Sequence, residues 1–160
     1  MNVIVGVSDM KVSDNLSDLM ITYSLGSCIG IVVYDPVARV GGMAHFMLPE
    51  SDLDPSKAEK NPYMFADTCI PRLFKSAYKL GAKKQRMKVV VVGGAQILDQ
   101  KGFFNIGKRN HMAARKMFWK NKVMIDHEEV GGNVNRTVKL AIKNGKILLK
   151  ISGGDGEIEV

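Results

Sequence analysis

The chain has 160 residues, of which 46% are hydrophobic and 24% charged, and carries a formal net charge of +7. That length suits one domain over residues 1–160, with a C-terminal tail from about Gly153, and the composition is that of a globular protein whose longest apolar runs are far too short to span a bilayer. Two cysteines without pairing logic, and a start, Met1-Asn2-Val3-Ile4-Val5, with no basic region or small-residue cleavage site, point to a reducing cytoplasm and no signal peptide.

The positive charge is scattered: Lys83-Lys84, Arg86, Lys88, Lys108-Arg109, Arg115-Lys116, Lys120, Lys122. No RNP-like or zinc-finger pattern accompanies it. A basic face for an acidic protein partner is therefore favoured over nucleic acid.

In chain order, the first stretch with chemical content is Thr22–Pro49. A Leu25-Gly26-Ser27 turn leads into Cys28, and Ile29–Tyr34 reads as a buried strand. Asp35-Pro36-Val37-Ala38 fits a type I turn, with Asp and Pro at its first two positions. The chain returns through Arg39–Leu48. If Tyr34 pairs with Arg39, Cys28 faces His45 across the hairpin, at thiol–imidazole distance. A one-residue slip, for which Gly41-Gly42 offers a bulge, would put the two on opposite faces.

An imidazole beside a thiol can take its proton and stabilise the thiolate, which assembles the nucleophile and base of an acyl-transfer enzyme. Backbone N–H groups near Ser27 could hold an oxyanion. A third group usually orients the imidazole, and Thr22 and Ser24 are the nearest hydroxyls. An alternating strand puts Thr22, Ser24, Gly26 and Cys28 on one face, so periodicity does not choose between them. A buried cysteine acting only as a small hydrophobe remains the competing reading.

Further along, Pro49–Pro62 is charged and proline-bounded, either a lid over the site or an ordinary solvated loop. Asn61-Pro62 starts a helix that Gly81 stops, carrying Ala66, Ile70, Leu73 and Ala77 at helical spacing. Pro71 predicts a kink there, or a start nearer Asp67. Cys69 lies on the apolar side and reads as structural. Lys88–Val92 is a buried strand, and Gly93-Gly94 after it a tight turn, because no Gly-Lys-Ser/Thr follows.

Asn105 caps a second helix to about Trp119, with Ile106, Ala113 and Met117 inward and His111 solvated. His127 beside Glu128-Glu129 reads as surface, since the ligand set for a metal is incomplete. No HExxH or CxxC occurs, and no cofactor or metal is expected. Asn144-Gly145 predicts a type I′ hairpin pairing Ile142 with Ile147, Leu140 with Leu149 and Val138 with Ile151, with Lys139 opposite Lys150 on the outside. Strands at both ends and helices between them make an α+β fold.

The segments VGVSDMKVS, LGSCIGIVVYDP, AHFMLP, VVGGAQIL, NIGKRN and GGNVNRTVKL, in this order, resemble the CheD family of chemoreceptor glutamine deamidases over nearly the whole chain. The resemblance implies a three-layer α/β/β sandwich like that of bacterial toxin deamidases. It also implies Cys28 as nucleophile, His45 as base and Thr22 as the group supporting that base. Tyr23-Ser24 and Val90-Val91-Val92 depart from the usual family pattern at positions that would border the site.

The implied reaction is hydrolysis of glutamine carboxamides on glutamate-rich cytoplasmic helices of methyl-accepting chemoreceptors, with methyl-ester hydrolysis in some members. The implied partner is the CheC phosphatase, docking over the active site. A non-catalytic adaptor binding receptors and CheC, or a cysteine peptidase or transglutaminase, are the alternatives.

Overall fold

A computed structural model describes residues 1–96 and 105–160; Ile97-Leu98, the end of the VVGGAQIL segment, lie outside them. One sheet has the order Asn2–Ile4 (β1), Leu19–Leu25 (β3), Arg136–Ala141 (β8), Ile147–Ile151 (β9) and Glu157–Glu159 (β10). The other runs Asp9–Ser13 (β2), Val40–Phe46 (β5), Ile29–Asp35 (β4), Lys88–Gly93 (β6) and His127–Val130 (β7). The helices are Pro55–Lys60 (α1), Ala66–Lys79 (α2) and Ile106–Lys120 (α3).

Strand alternation sorts the core into two seams. Ile29, Ile31, Val33, Ala44, Phe46, Val89 and Val91 turn one way, against Leu73 and Phe74 of α2 and Ala114 and Phe118 of α3. Val32, Tyr34, Met43, Val90 and Val92 turn the other way, against Met20, Leu25, Val138, Leu140 and Leu149 of the first sheet. The β4–β5–β6 sheet is thus covered on both faces, which is why its strands read as unbroken apolar runs. The result is the expected α+β arrangement of three layers, helices on sheet on sheet.

Both hairpins differ from the sequence expectation by two residues. Asp35 pairs with Val40, and Gly30, not Cys28, lies opposite His45. The loop keeps its length but moves one position along the chain, to 36–39, so that Arg39 closes it in a left-handed conformation (φ 54°), while Asp35 gathers the turn by accepting from the N–H groups of Val37 and Ala38 at 2.9 and 3.1 Å. A two-residue shift preserves the faces, and the register runs without a bulge through Gly41 and Gly42.

In the second hairpin Leu140 pairs with Ile147, Val138 with Leu149 and Arg136 with Ile151, and Lys139 lies opposite Leu148 rather than Lys150. Gly145 has positive φ and Asn144 does not, so the turn is not type I′. Tertiary bonds decide this. Ile142 donates its N–H to the Asp18 carbonyl at 3.1 Å and accepts the Tyr34 hydroxyl at 2.8 Å, which fixes it in the loop and the core instead of the ladder.

Four smaller expectations are also revised. Asn61 caps only the short turn Pro62–Met64, accepting from Tyr63 N–H, and the long helix begins at Ala66, which fits the start near Asp67 that Pro71 allowed, with Pro71 inside it. Asn105 stands before α3 in a left-handed conformation without capping it; its Oδ1 accepts from Gln96 Nε2 at 2.8 Å. The buried face of α3 is Gly107, Asn110, Ala114 and Phe118, with Ala113 and Met117 only flanking it. The segment after Gly153 is not a free tail but returns as β10 along β9.

Candidate active site

Thr22 and His45 lie on facing strands of the two sheets, and Cys28 lies just ahead of β4 at the seam between those sheets. Thr22 is fully buried on β3 and His45 is 1% exposed on β5. Thr22 Oγ1 lies 2.7 Å from His45 Nδ1 and 2.7 Å from the Val5 carbonyl oxygen. The carbonyl can only accept, so it takes the single hydroxyl proton. The threonine oxygen must then accept from His45, which places the ring proton on Nδ1 and leaves Nε2 with its lone pair free. Nε2 has no hydrogen-bond partner among the described residues, Cys28 included. Catalytic hydrogen bonds commonly close only when substrate is present.

Ser24 is excluded from this role by a bulge. The β3–β8 register shifts between Thr22 and Leu25, and Ser24 sits at φ 55° with its side chain at the surface. The alternation that would have aligned Ser24 with Thr22 and Cys28 therefore stops after Thr22. Leu25 turns inward instead and is fully buried.

Gly30 makes the crossing from β3 to β5 possible. A Cβ there would lie 2.9 Å from Leu25 Cδ1 and 3.6 Å from Thr22 Cγ2, in the space through which Thr22 reaches His45. Opposite the imidazole, the strand has no side chain of its own.

Cys28 is half-buried just ahead of β4 and packs on the seam between the sheets. Its carbonyl accepts from Gly94 N–H at 2.9 Å, and the Gly26 carbonyl from Ala95 N–H at 2.9 Å. Gly93, at φ 114°, leaves room for this: a Cβ would come within 2.2 Å of the Cys28 carbonyl oxygen. The Gly93 carbonyl in turn accepts from Arg136 Nη1 at 3.2 Å. Burial lowers the pKa of that guanidinium, against a raising influence of Glu129, and its Nε has no partner among the described residues.

Burial pushes the Cys28 thiol above its ordinary range, outweighing the backbone N–H of Cys28, which favours the thiolate. Burial also lowers His45 to about 4, with Asp9, its neighbour across β2, pulling the other way. The resting pair is accordingly thiol and neutral imidazole, and the preformed ion pair that sequence reasoning allowed is disfavoured.

Cys69 is fully buried on α2, and its thiol is pushed up to about 12 by burial. His111 is not solvated: its Nε2 lies 3.2 Å from Glu128 Oε1. His127 lies on the edge strand β7, and no group of three acidic, His or Cys residues among those described could hold a metal. Sequence reasoning overlooked Asn110, a fully buried amide whose Nδ2 donates to the carbonyls of Ser27 at 2.9 Å and Met47 at 2.8 Å. Two local signals were present: a polar residue on the inward stripe of α3, and its place as the last residue of the NIGKRN segment.

Comparison with known proteins identifies the family. A family model described as CheD chemotactic sensory transduction matches residues 47–151. A probable chemoreceptor glutamine deamidase CheD 1 of Syntrophus aciditrophicus is 58% identical over 153 residues, covering 96% of each chain. A probable chemoreceptor glutamine deamidase CheD of Solibacter usitatus is 45% identical over 156 residues, 98% of this chain and 92% of that one. The chemoreceptor glutamine deamidase CheD of Thermotoga maritima is 37% identical over 160 residues, 100% of this chain and 98% of its own. With a family model spanning more than half of its residues and such relatives over nearly its full length, the chain belongs to the CheD family.

Proposed function

We propose that this protein hydrolyses glutamine side-chain carboxamides on the cytoplasmic helices of chemoreceptors, releasing ammonia and leaving glutamate. The observation that supports the chemistry best is the Thr22–His45 bond, which holds the imidazole with Nε2 as its free base. The names of the relatives support the substrate class.

In this reading, His45 Nε2 removes the Cys28 Sγ proton as sulfur attacks the glutamine Cδ. Backbone N–H groups at Ser27 and Cys28 hold the developing oxyanion. The proton on Nε2 then passes to the leaving nitrogen, ammonia departs and a thioester remains. Nε2 next removes a proton from water as its oxygen attacks the thioester carbon. Collapse expels the sulfur, which recovers that proton and releases glutamate.

Neutral resting partners suit this sequence. Charge develops only as the bond forms, inside a site where the thiolate would otherwise be poorly solvated.

The exposed face of α3 supports an acidic helical partner. Lys108, Arg109, Met112, Arg115, Lys116 and Trp119 share one side of the helix, and Trp119 is 81% exposed. This cationic stripe with apolar contacts suits a glutamate-rich helix. CheC enters as a partner by family resemblance alone. The described residues form no helix long and apolar enough to cross a membrane. In this reading the reaction takes place in the cytoplasm because the substrate helices lie there.

The test is mass spectrometry of a receptor cytoplasmic fragment incubated with the protein. A Gln-to-Glu shift of about one dalton, with ammonia release, is the outcome expected of acyl-enzyme hydrolysis. Binding without any such shift would favour the adaptor alternative.

A further inference from the structure

The β4–β5 ladder ends at the pair Ile29–Phe46, one residue short of both Cys28 and Met47. Beyond it the two chains are drawn apart. The Cys28 carbonyl goes to Gly94 N–H at 2.9 Å, on the β6 side. The Met47 and Leu48 N–H groups go instead to the Met64 carbonyl, at 2.9 and 3.0 Å, on the side leading to α2. Backbone pairing therefore holds His45, opposite Gly30, and stops just short of Cys28, which lies on one branch while Met47 begins the other.

Asn110 of α3 spans this split. Its single Nδ2 donates to the carbonyl of Ser27, the residue before Cys28, and to that of Met47, two residues after His45. The side chain is 0% exposed. The two bonds also fix its orientation, since Oδ1 could donate to neither carbonyl.

We propose that Asn110 is a positioning residue for the deamidation: it replaces the missing ladder bonds between the Cys28 and Met47 branches, and so sets where Cys28 stands relative to His45, which the ladder holds. This rests on reading Cys28 and His45 as the reacting pair. A primary amide suits the task because it offers two hydrogens on one nitrogen without a charge. Serine offers one donor, aspartate none when ionised, and lysine would bring a charge into the core. A misplacement of about 1 Å between reacting groups costs on the order of 100-fold in rate, so a bridge of this kind acts on turnover more than on substrate binding.

The experiment compares Asn110→Asp, Asn110→Ser and a control, Phe118→Leu, which alters the packing of the same helix and removes no hydrogen bond to either branch. Ammonia release from a glutamine-containing receptor fragment is measured as kcat and KM, normalised to the Cys28 that native enzyme presents to iodoacetamide, alongside thermal melts. We expect kcat per titrated Cys28 to fall on the order of 100-fold in Asn110→Asp and less in Asn110→Ser, which keeps one donor, with KM within about twofold. The control should lose stability and keep its kcat.

Unchanged kcat per titrated thiol in Asn110→Asp or Asn110→Ser overturns the proposal. So does failure of both to fold while Phe118→Leu folds, which would assign Asn110 to stability alone. Absence of Cys28-dependent ammonia release in the unmodified protein would instead count against the reading of the reaction, a result separate from either.

Discussion

The hydroxyl of Thr22 stands 2.7 Å from Nδ1 of His45 and spends its own proton on the Val5 carbonyl. One short contact between residues on two different sheets thereby selects the imidazole tautomer. Thr22→Val keeps the shape but leaves a buried ring N–H unpaired, a penalty of about 1–3 kcal/mol. If that loss falls on the transition state, turnover drops roughly 10- to 100-fold. Thr22→Ser should keep most activity, and Ser24→Ala all of it. Full activity in Thr22→Val would remove the threonine from the mechanism.

The two cysteines should separate cleanly. Iodoacetamide on the native protein should give one adduct, on the half-buried Cys28, because Cys69 is fully buried and its thiol stays protonated up to about 12. Cys28→Ala should fold and release no ammonia, whereas Cys69→Ala should remain active with a modest loss of stability. Ammonia assays and peptide mapping of the adduct decide the assignment.

Two pH windows follow from buried groups. His45 takes a proton near 6.5 when unfolded but only near about 4 when folded, so the unfolded state binds the extra proton between those values. The stability contributed by the neutral ring is complete above 6.5 and falls as pH drops toward 4, by about 3 kcal/mol at most. The acid limb of turnover should likewise sit near 4, since the free base persists down to that pH.

Asp35 acts lower. Burial alone would raise its carboxyl, but Arg86 and the N–H groups of Lys83, Ala38 and Val37 outweigh it and hold it at about 2, against 3.8. Its stabilisation is present above 3.8 and is lost as pH falls toward 2. Thermal melts from neutral pH to pH 3 should show the upper slope vanish in His45→Gln; persistence of that slope would mean another group titrates there.

Two glycines should fail differently when given a methyl group. Gly93→Ala meets the Cys28 carbonyl at 2.2 Å and must hold φ 114°, so strain of about 1–3 kcal/mol adds to a backbone clash. Gly30→Ala crowds the end of Leu25 at 2.9 Å, which can give way at about 1 kcal/mol, and reaches Thr22 Cγ2 at an ordinary 3.6 Å. The second change should cost more in turnover than in stability, because the displaced Leu25 borders Thr22. Equal losses of stability in both variants, measured by denaturant melts, would contradict this ranking.

Binding to an acidic receptor helix should weaken as salt rises, since exposed charges are screened over about 8 Å at physiological ionic strength. Lys108→Glu with Lys116→Glu should weaken it further and leave hydrolysis of a small glutamine dipeptide unchanged. Salt-independent affinity, or tighter binding to random RNA than to the acidic helix, would exclude this use of the α3 face.

Local chemistry in the chain determined a good part of this protein. The unbroken apolar runs of 29–34 and 89–92 specified buried strands, and the stripe Ala66, Ile70, Leu73, Ala77 specified the helix that covers them. The motifs around Cys28 and His45 marked the candidate site, since Gly-Ser-Cys before a strand and a histidine on its return are visible in any linear reading.

Tertiary structure decided what spacing leaves degenerate. Hairpin register shifted by two residues in both cases, with residues at the turn making distant bonds: Asp35, at the end of β4, to Arg86 and Lys83, and Ile142 to Tyr34 and Asp18. The choice of Thr22 over Ser24 came from a bulge that appears only when β3 pairs with β8. Asn110 was legible as a polar residue on an apolar stripe, but its two acceptors lie 83 and 63 residues away. Periodicity constrains which face a side chain takes, whereas contacts between distant segments set which atoms meet, and the chemistry of this site depends on the second.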